Sequence, residues 1–186
     1  MRNVLAFVLG VLLIPVAGML YFHFGNLPVA VADKPFPLEK QIVHVPLNAR
    51  IDREKPGNAP IEVSEANLVA GAKIYREQCA FCHGLIGQPS TIAPHMYPST
   101  PQLWVSHRKG VVGVSDDPPG ETYWKVANGI RLTGMPAFGK SLSETEMWQV
   151  SLLLANADKP LPDAAKRLVS QPLNLGELPP TVSQAR

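Results

Sequence analysis

Cys79-Ala80-Phe81-Cys82-His83 is the stretch that decides how this chain folds. It contains both cysteines of the 186 residues, with a histidine directly behind the second. Thiols spaced as C-x-x-C, about one helical turn apart, can add across the two vinyl groups of one porphyrin as thioethers, and C-x-x-C-H is the signature of that attachment. A histidine on so short a leash is held beneath the iron, so His83 is the expected proximal ligand. Two other readings of the motif are weaker. A redox dithiol should open a helix after a strand in a βαβ pattern, and none is visible. A tetrahedral zinc site wants four ligands, and the chain has no second Cys or Cys/His pair. The cofactor expected is therefore one covalently bound haem c, held by Cys79 and Cys82.

What fills the opposite face of the iron decides between electron transfer and ligand chemistry. Met135 is the best candidate, in Gly129-Ile130-Arg131-Leu132-Thr133-Gly134-Met135-Pro136-Ala137-Phe138. A glycine before and a proline after it make a locally stiff, irregular loop that can project a thioether inward. Thioether sulfur also suits reduced iron and raises the reduction potential. A methionine is more often core filler than a ligand. Met147 has a helical core pattern and Met19 lies in the apolar N-terminal run, so neither competes well. His95 and Met96, in Ala93-Pro94-His95-Met96-Tyr97-Pro98, do compete: their loop is also bounded by prolines, although it follows His83 closely in sequence. His107 reads as a partly exposed helix residue.

Working outward, Ser64 can cap a helix that carries Val69, Ala70, Ile74 and Tyr75 towards Cys79. Gly71, four residues before Tyr75, either admits a second helix closely or is merely tolerated. Gly84 to Gly120 reads as a long loop region with one short helix near Gln102 to His107. So much irregular chain is uncommon in a compact domain, and a haem supplies the interior on which it packs. A helical pattern resumes at Glu121 and stops at Asn128-Gly129. Ser143-Glu144-Thr145-Glu146 is a capping box opening a helix to about Ala157, expected to pack on the first. Pro162 to Ser170 predicts one short exposed helix, and Pro172, Pro179 and Pro180 an extended tail.

Upstream, Val4 to Phe24 contains no charged residue. As a helix it would be about 31 Å long, enough to cross a hydrocarbon core. Arg2 precedes it, so the positive-inside rule leaves the N-terminus in the cytoplasm and exports everything after Phe24. A cleaved signal peptide ending at Ala30-Val31-Ala32 is the alternative, but the apolar run is longer than a usual signal core. From residue 25 to 63 the chain is punctuated by prolines and is expected to be an extended, semi-rigid linker, with at most a short extended piece from Gln41 to Leu47. The expected organisation is an anchor over 1–24, the linker over 25–63, a haem domain over 64–158, and a short helix and tail over 159–186. The net charge of +2 carries no nucleic-acid footprint.

With these residues in place, the segment from Glu65 to Ala157 resembles the class I c-type cytochromes of the bacterial mono-haem kind. The likeness rests on Gly71-Ala72-Lys73-Ile74-Tyr75 leading to the C-x-x-C-H motif and Gly84, on Asn128-Gly129-Ile130 leading to Gly134-Met135-Pro136, and on Trp148. It implies an all-α fold with crossed first and last helices around one haem, Gly71 and Tyr75 meeting the face that carries Trp148 and Leu152. It also implies Met135 as the distal ligand, and Pro94 as the residue whose carbonyl accepts the other imidazole proton of His83. The stretch from Met96 to Gly120 is longer than a minimal member needs and suggests a partner surface. The function implied is one-electron transfer, by a membrane-anchored carrier or a cytochrome subunit of a respiratory or dehydrogenase complex, on the periplasmic side of a bacterial cytoplasmic membrane. No paired carboxylates, nucleophile constellation or phosphate loop suggests a small-molecule substrate, and the partners expected are redox proteins. The alternatives are a haem peroxidase or gas-binding sensor with an open distal site, and a structural subunit in which the haem is incidental.

Overall fold

The structure is a computed structural model that describes residues 2–107 and 110–173. It divides into two compact units, Met1–Val43 and His44–Arg186. The first holds α1 (Arg2–Phe24), within which Phe7–Phe24 is long and apolar enough to cross a membrane. The second holds the helices α3 (Glu65–Gln78), α4 (Ala80–His83), α5 (Pro119–Asn128), α6 (Glu144–Ala155) and α7 (Asp163–Ser170). The expected all-α fold is the one observed, and the expected tail beyond Leu173 lies outside the described residues.

Both predicted caps are present. The Ser64 hydroxyl accepts from the Asn67 N–H and opens α3. Ser143 and Glu146 form the reciprocal box that opens α6, and the two Ser143 donors hold the Glu146 carboxyl below its usual range. α3 and α6 then cross at Gly71, whose α-carbon lies directly against the Gln149 carbonyl and the Val150 amide. Only a residue without a Cβ permits that approach, so the close-packing reading of Gly71 holds. The crossing buries Tyr75, Val150 and Leu153 completely. The ring partners differ from the expectation. Trp148 stacks on Tyr123 of α5 at 4.4 Å, whereas Tyr75 meets the edge of Trp104 at 5.5 Å and donates its hydroxyl to the Gly84 carbonyl at 2.7 Å.

Three local expectations are corrected. The segment read as an extended linker contains a helix, α2 (Glu39–Glu54), with Pro46 inside it. Pro46 removes one backbone bond, but the Glu39 carboxylate accepts from the Phe36 N–H at 2.8 Å, and Arg50 pairs with Glu54 one turn on. Past the proline the helix is held by tertiary contacts: Ile51 is buried, and the Trp124 indole N–H donates to Glu54 at 3.0 Å. Second, Gln102 to His107 is not a helix; Ser106–His107 forms a short strand, β1, antiparallel to β2 (Val111–Val112). The β-branched Val111 and Val112 favour that pairing, and Gly110 and Gly113, at φ +86° and +57°, turn the chain on either side of β2. Third, α7 is not exposed. Its Ala165 and Val169 are fully buried among residues of the core, and Arg76 of α3 reaches over to the carbonyls of Leu168, Gln171 and Pro172.

Candidate haem site

α3 ends at Cys79, and the chain starts a second, single-turn helix at once, with Cys82 N–H and His83 N–H both donating to the Cys79 carbonyl. That turn sets the two thiols on one side. Gly84, at φ +74°, ends it and starts the loop. Both cysteines are half-buried free thiols. Burial pushes Cys79 up to about 12, reinforced by the neighbouring Cys82, and burial also raises Cys82. Such thiols are protonated at neutral pH, unlike the low-pKa thiolate of a redox dithiol.

His83 is neutral for a related reason: burial lowers its pKa, against the opposing effect of its bond to the Pro101 carbonyl. That bond runs from Nδ1 to the oxygen at 2.8 Å. A carbonyl only accepts, so Nδ1 carries the proton and Nε2 keeps its lone pair for a metal. Pro94 therefore does not have the role expected of it. The chain between His83 and the acceptor is longer than in a minimal loop, and the 3₁₀ turn at Ala93–His95 leaves Pro94 and His95 exposed. Pro101, missed in the sequence, does the orienting; its proline-bounded neighbourhood was the available signal.

The distal loop is built off α5. Gly129, at φ +64°, breaks the helix after Asn128, and its α-carbon lies against the backbone of Met135 to Ala137. The Thr133 hydroxyl donates to the Ile130 carbonyl at 2.7 Å and accepts from the Met135 N–H at 3.1 Å. Phe138 and Gly139 N–H groups return to the Val126 and Ala127 carbonyls of α5. At the loop's tip Leu132 adopts φ +62° and is 89% exposed.

These pieces enclose one apolar cleft of about 1120 Å³, open mouth included. It is bordered by Cys79, Cys82 and His83, by Met135 and Pro136 of the distal loop, and by Val126, Val150 and Leu154 of the helices. Met96 also borders it, and Pro94 does not. A cleft with so apolar a lining suits a large flat apolar ligand. The donor set suits it as well: two unpaired thiols for thioethers, a neutral imidazole with its outer nitrogen available, and a thioether sulfur. The residues fit a haem c.

Residues 66–152 match a family model described as cytochrome C oxidase, cbb3-type, subunit III. That segment is a class I c-type cytochrome domain, whose chemistry is haem-based electron transfer. Comparisons with curated proteins and with solved structures returned no match to the chain.

Proposed function

We propose that one haem c is bound through Cys79 and Cys82 and ligated by His83 and Met135, and that the chain passes single electrons between redox proteins at a membrane. The observation that carries this reading is that Cys79, Cys82, His83 and Met135 all border one apolar cleft. When bound, the haem supplies a one-electron iron(III)/iron(II) couple. The Pro101 carbonyl fixes the His83 ring and its tautomer, Thr133 braces the backbone of Met135, and Val126, Val150 and Leu154 exclude water. We take residues 64–158 as the haem-bearing domain, with α2 and α7 as additions to it.

Phe7–Phe24 acts as the anchor in this reading, in preference to a signal segment cleaved after Ala32, and Arg2 ahead of it favours a haem domain on the periplasmic side. The matching family is described as an oxidase subunit, which favours a cytochrome subunit of a respiratory complex over a separate membrane-anchored carrier. Tethering would raise the effective concentration of partners in the same membrane.

Replacing Met135 by Ala tests the ligand set. The oxidised protein should lose its red sulfur-to-iron charge-transfer band and gain affinity for cyanide; an unchanged spectrum refutes the assignment. Isolation of the native protein in mild detergent tests its setting: stoichiometric redox subunits should accompany it, and a protein recovered alone contradicts the complex.

A further inference from the structure

A second thioether borders the cleft, and it is engaged at both ends. Met96 is half-buried in the wall that also carries Met135. Its sulfur accepts from the Thr100 hydroxyl at 3.1 Å. Its ε-methyl occupies the place where any side chain on residue 134 would have to go. Gly134 is the residue directly before Met135, so the contact falls one peptide from the proposed sixth ligand. Among the described residues the loop's hydrogen bonds are internal, through Thr133 and from the Ile130 N–H to the Met135 carbonyl, or are made to α5 through Phe138 and Gly139. Met96 reaches the loop from a different part of the chain, the segment between the C-x-x-C-H turn and Pro101.

Resting on the His83/Met135 reading above, we propose that Met96 is a positioning residue for the sixth-ligand loop: anchored by Thr100, it seats Gly134 and so holds Met135 towards the iron without itself being a ligand. A Cβ at Gly134 would displace the Met96 methyl, whereas a hydrogen lets the methyl and the backbone touch.

An external ligand binds only when Met135 has moved away, so its apparent affinity is its intrinsic affinity multiplied by the fraction of protein with the loop open. Loosening the loop raises that fraction while leaving both axial residues intact. Imidazole titration of the oxidised, full-length holoprotein reads it directly. Met96→Ala should bind imidazole about tenfold more tightly than wild type, the factor by which the open fraction rises. Its red charge-transfer band should persist in the absence of imidazole. Met96→Leu, similar in volume but without the sulfur that Thr100 holds and the ε-methyl that meets Gly134, should fall between wild type and Met96→Ala. Val169→Ala truncates the fully buried core contact of α7, outside the cleft wall. It should lower thermal stability and leave imidazole affinity unchanged.

An affinity in Met96→Ala equal to wild type, or an equal rise in Val169→Ala, overturns the proposal while leaving the ligand assignment standing. A band that survives Met135→Ala and disappears in Met96→Ala makes Met96 the ligand and overturns both. A wild-type protein without the band overturns the ligand assignment itself.

Discussion

Replacing Gly71 by Ala should destabilise the haem domain, although the same change in an unobstructed helix stabilises it. Alanine is favoured over glycine in a helix interior by about 0.8–1.0 kcal/mol. At residue 71 the added Cβ would land on the Gln149 carbonyl and close to the Val150 amide. These are backbone atoms in the middle of α6 and cannot rotate away, so either the helices separate or α6 distorts. Overpacking a core costs about 1–3 kcal/mol, and collision with fixed backbone places this case near the top of that range. Subtracting the propensity gain leaves a net loss of about 2 kcal/mol. For a domain of roughly 100 residues that lowers the midpoint of thermal unfolding by about 8–16 °C. Melting of the full-length holoprotein in mild detergent, followed by far-UV circular dichroism and by haem absorption, measures the shift. A variant as stable as wild type, or more stable, would refute the argument that α3 and α6 touch at this residue.

Trp124→Phe should raise the pKa of Glu54, because the indole N–H bond is the largest cause of that carboxyl's depressed value and the Arg50 bond is the next. A carboxyl depressed in the folded state contributes stability above its unfolded pKa of about 4.3, and that stability is lost as pH falls through the folded value. The pH-dependent part of the variant's deficit should therefore be present at neutral pH and vanish in acid, as denaturation at several pH values and NMR titration of Glu54 would reveal. Arg76→Met keeps the apolar stem but removes donors to the Leu168, Gln171 and Pro172 carbonyls. It should cost about 2 kcal/mol, and proteolysis within 163–173 should accelerate; an unchanged cleavage rate would mean that α7 is held by its apolar contacts alone. Cys82→Ser should leave one thioether, through Cys79, and one vinyl group still conjugated. The reduced pyridine derivative should then absorb further to the red than wild type, and an unshifted band would mean that Cys82 carries no bond to the porphyrin.

The parts of this molecule that were legible in its sequence are those fixed by local chemistry. The C-x-x-C-H turn, the Ser64 cap, the Ser143/Glu146 box and the Asn128-Gly129 stop each involve residues a few positions apart, and each appears as expected. The misreadings concern segments whose conformation is decided by distant partners. α2 contains a proline and no strong apolar stripe, and its C-terminal turn is secured by Trp124, seventy residues away. α7 looked exposed because the surface on which its apolar face packs is α3, far away in sequence. Pro101 replaces Pro94 as the His83 acceptor because the intervening loop is long enough to offer several proline carbonyls, and spacing does not choose among them. Met96 was legible as a rival for Met135, while its contact with Gly134 depends on two loops meeting and could be seen only in three dimensions.

A potentiometric titration of the purified full-length protein, followed simultaneously in the visible haem bands and the red sulfur-to-iron charge-transfer band, reads the couple and the sixth ligand together. A haem ligated by His83 and Met135 should give one reversible wave for the transfer of a single electron, with the red band present in the oxidised form and lost in step with reduction. A protein without a redox-active haem spectrum, or one whose oxidised form lacks the red band while the wave remains, would contradict that ligation.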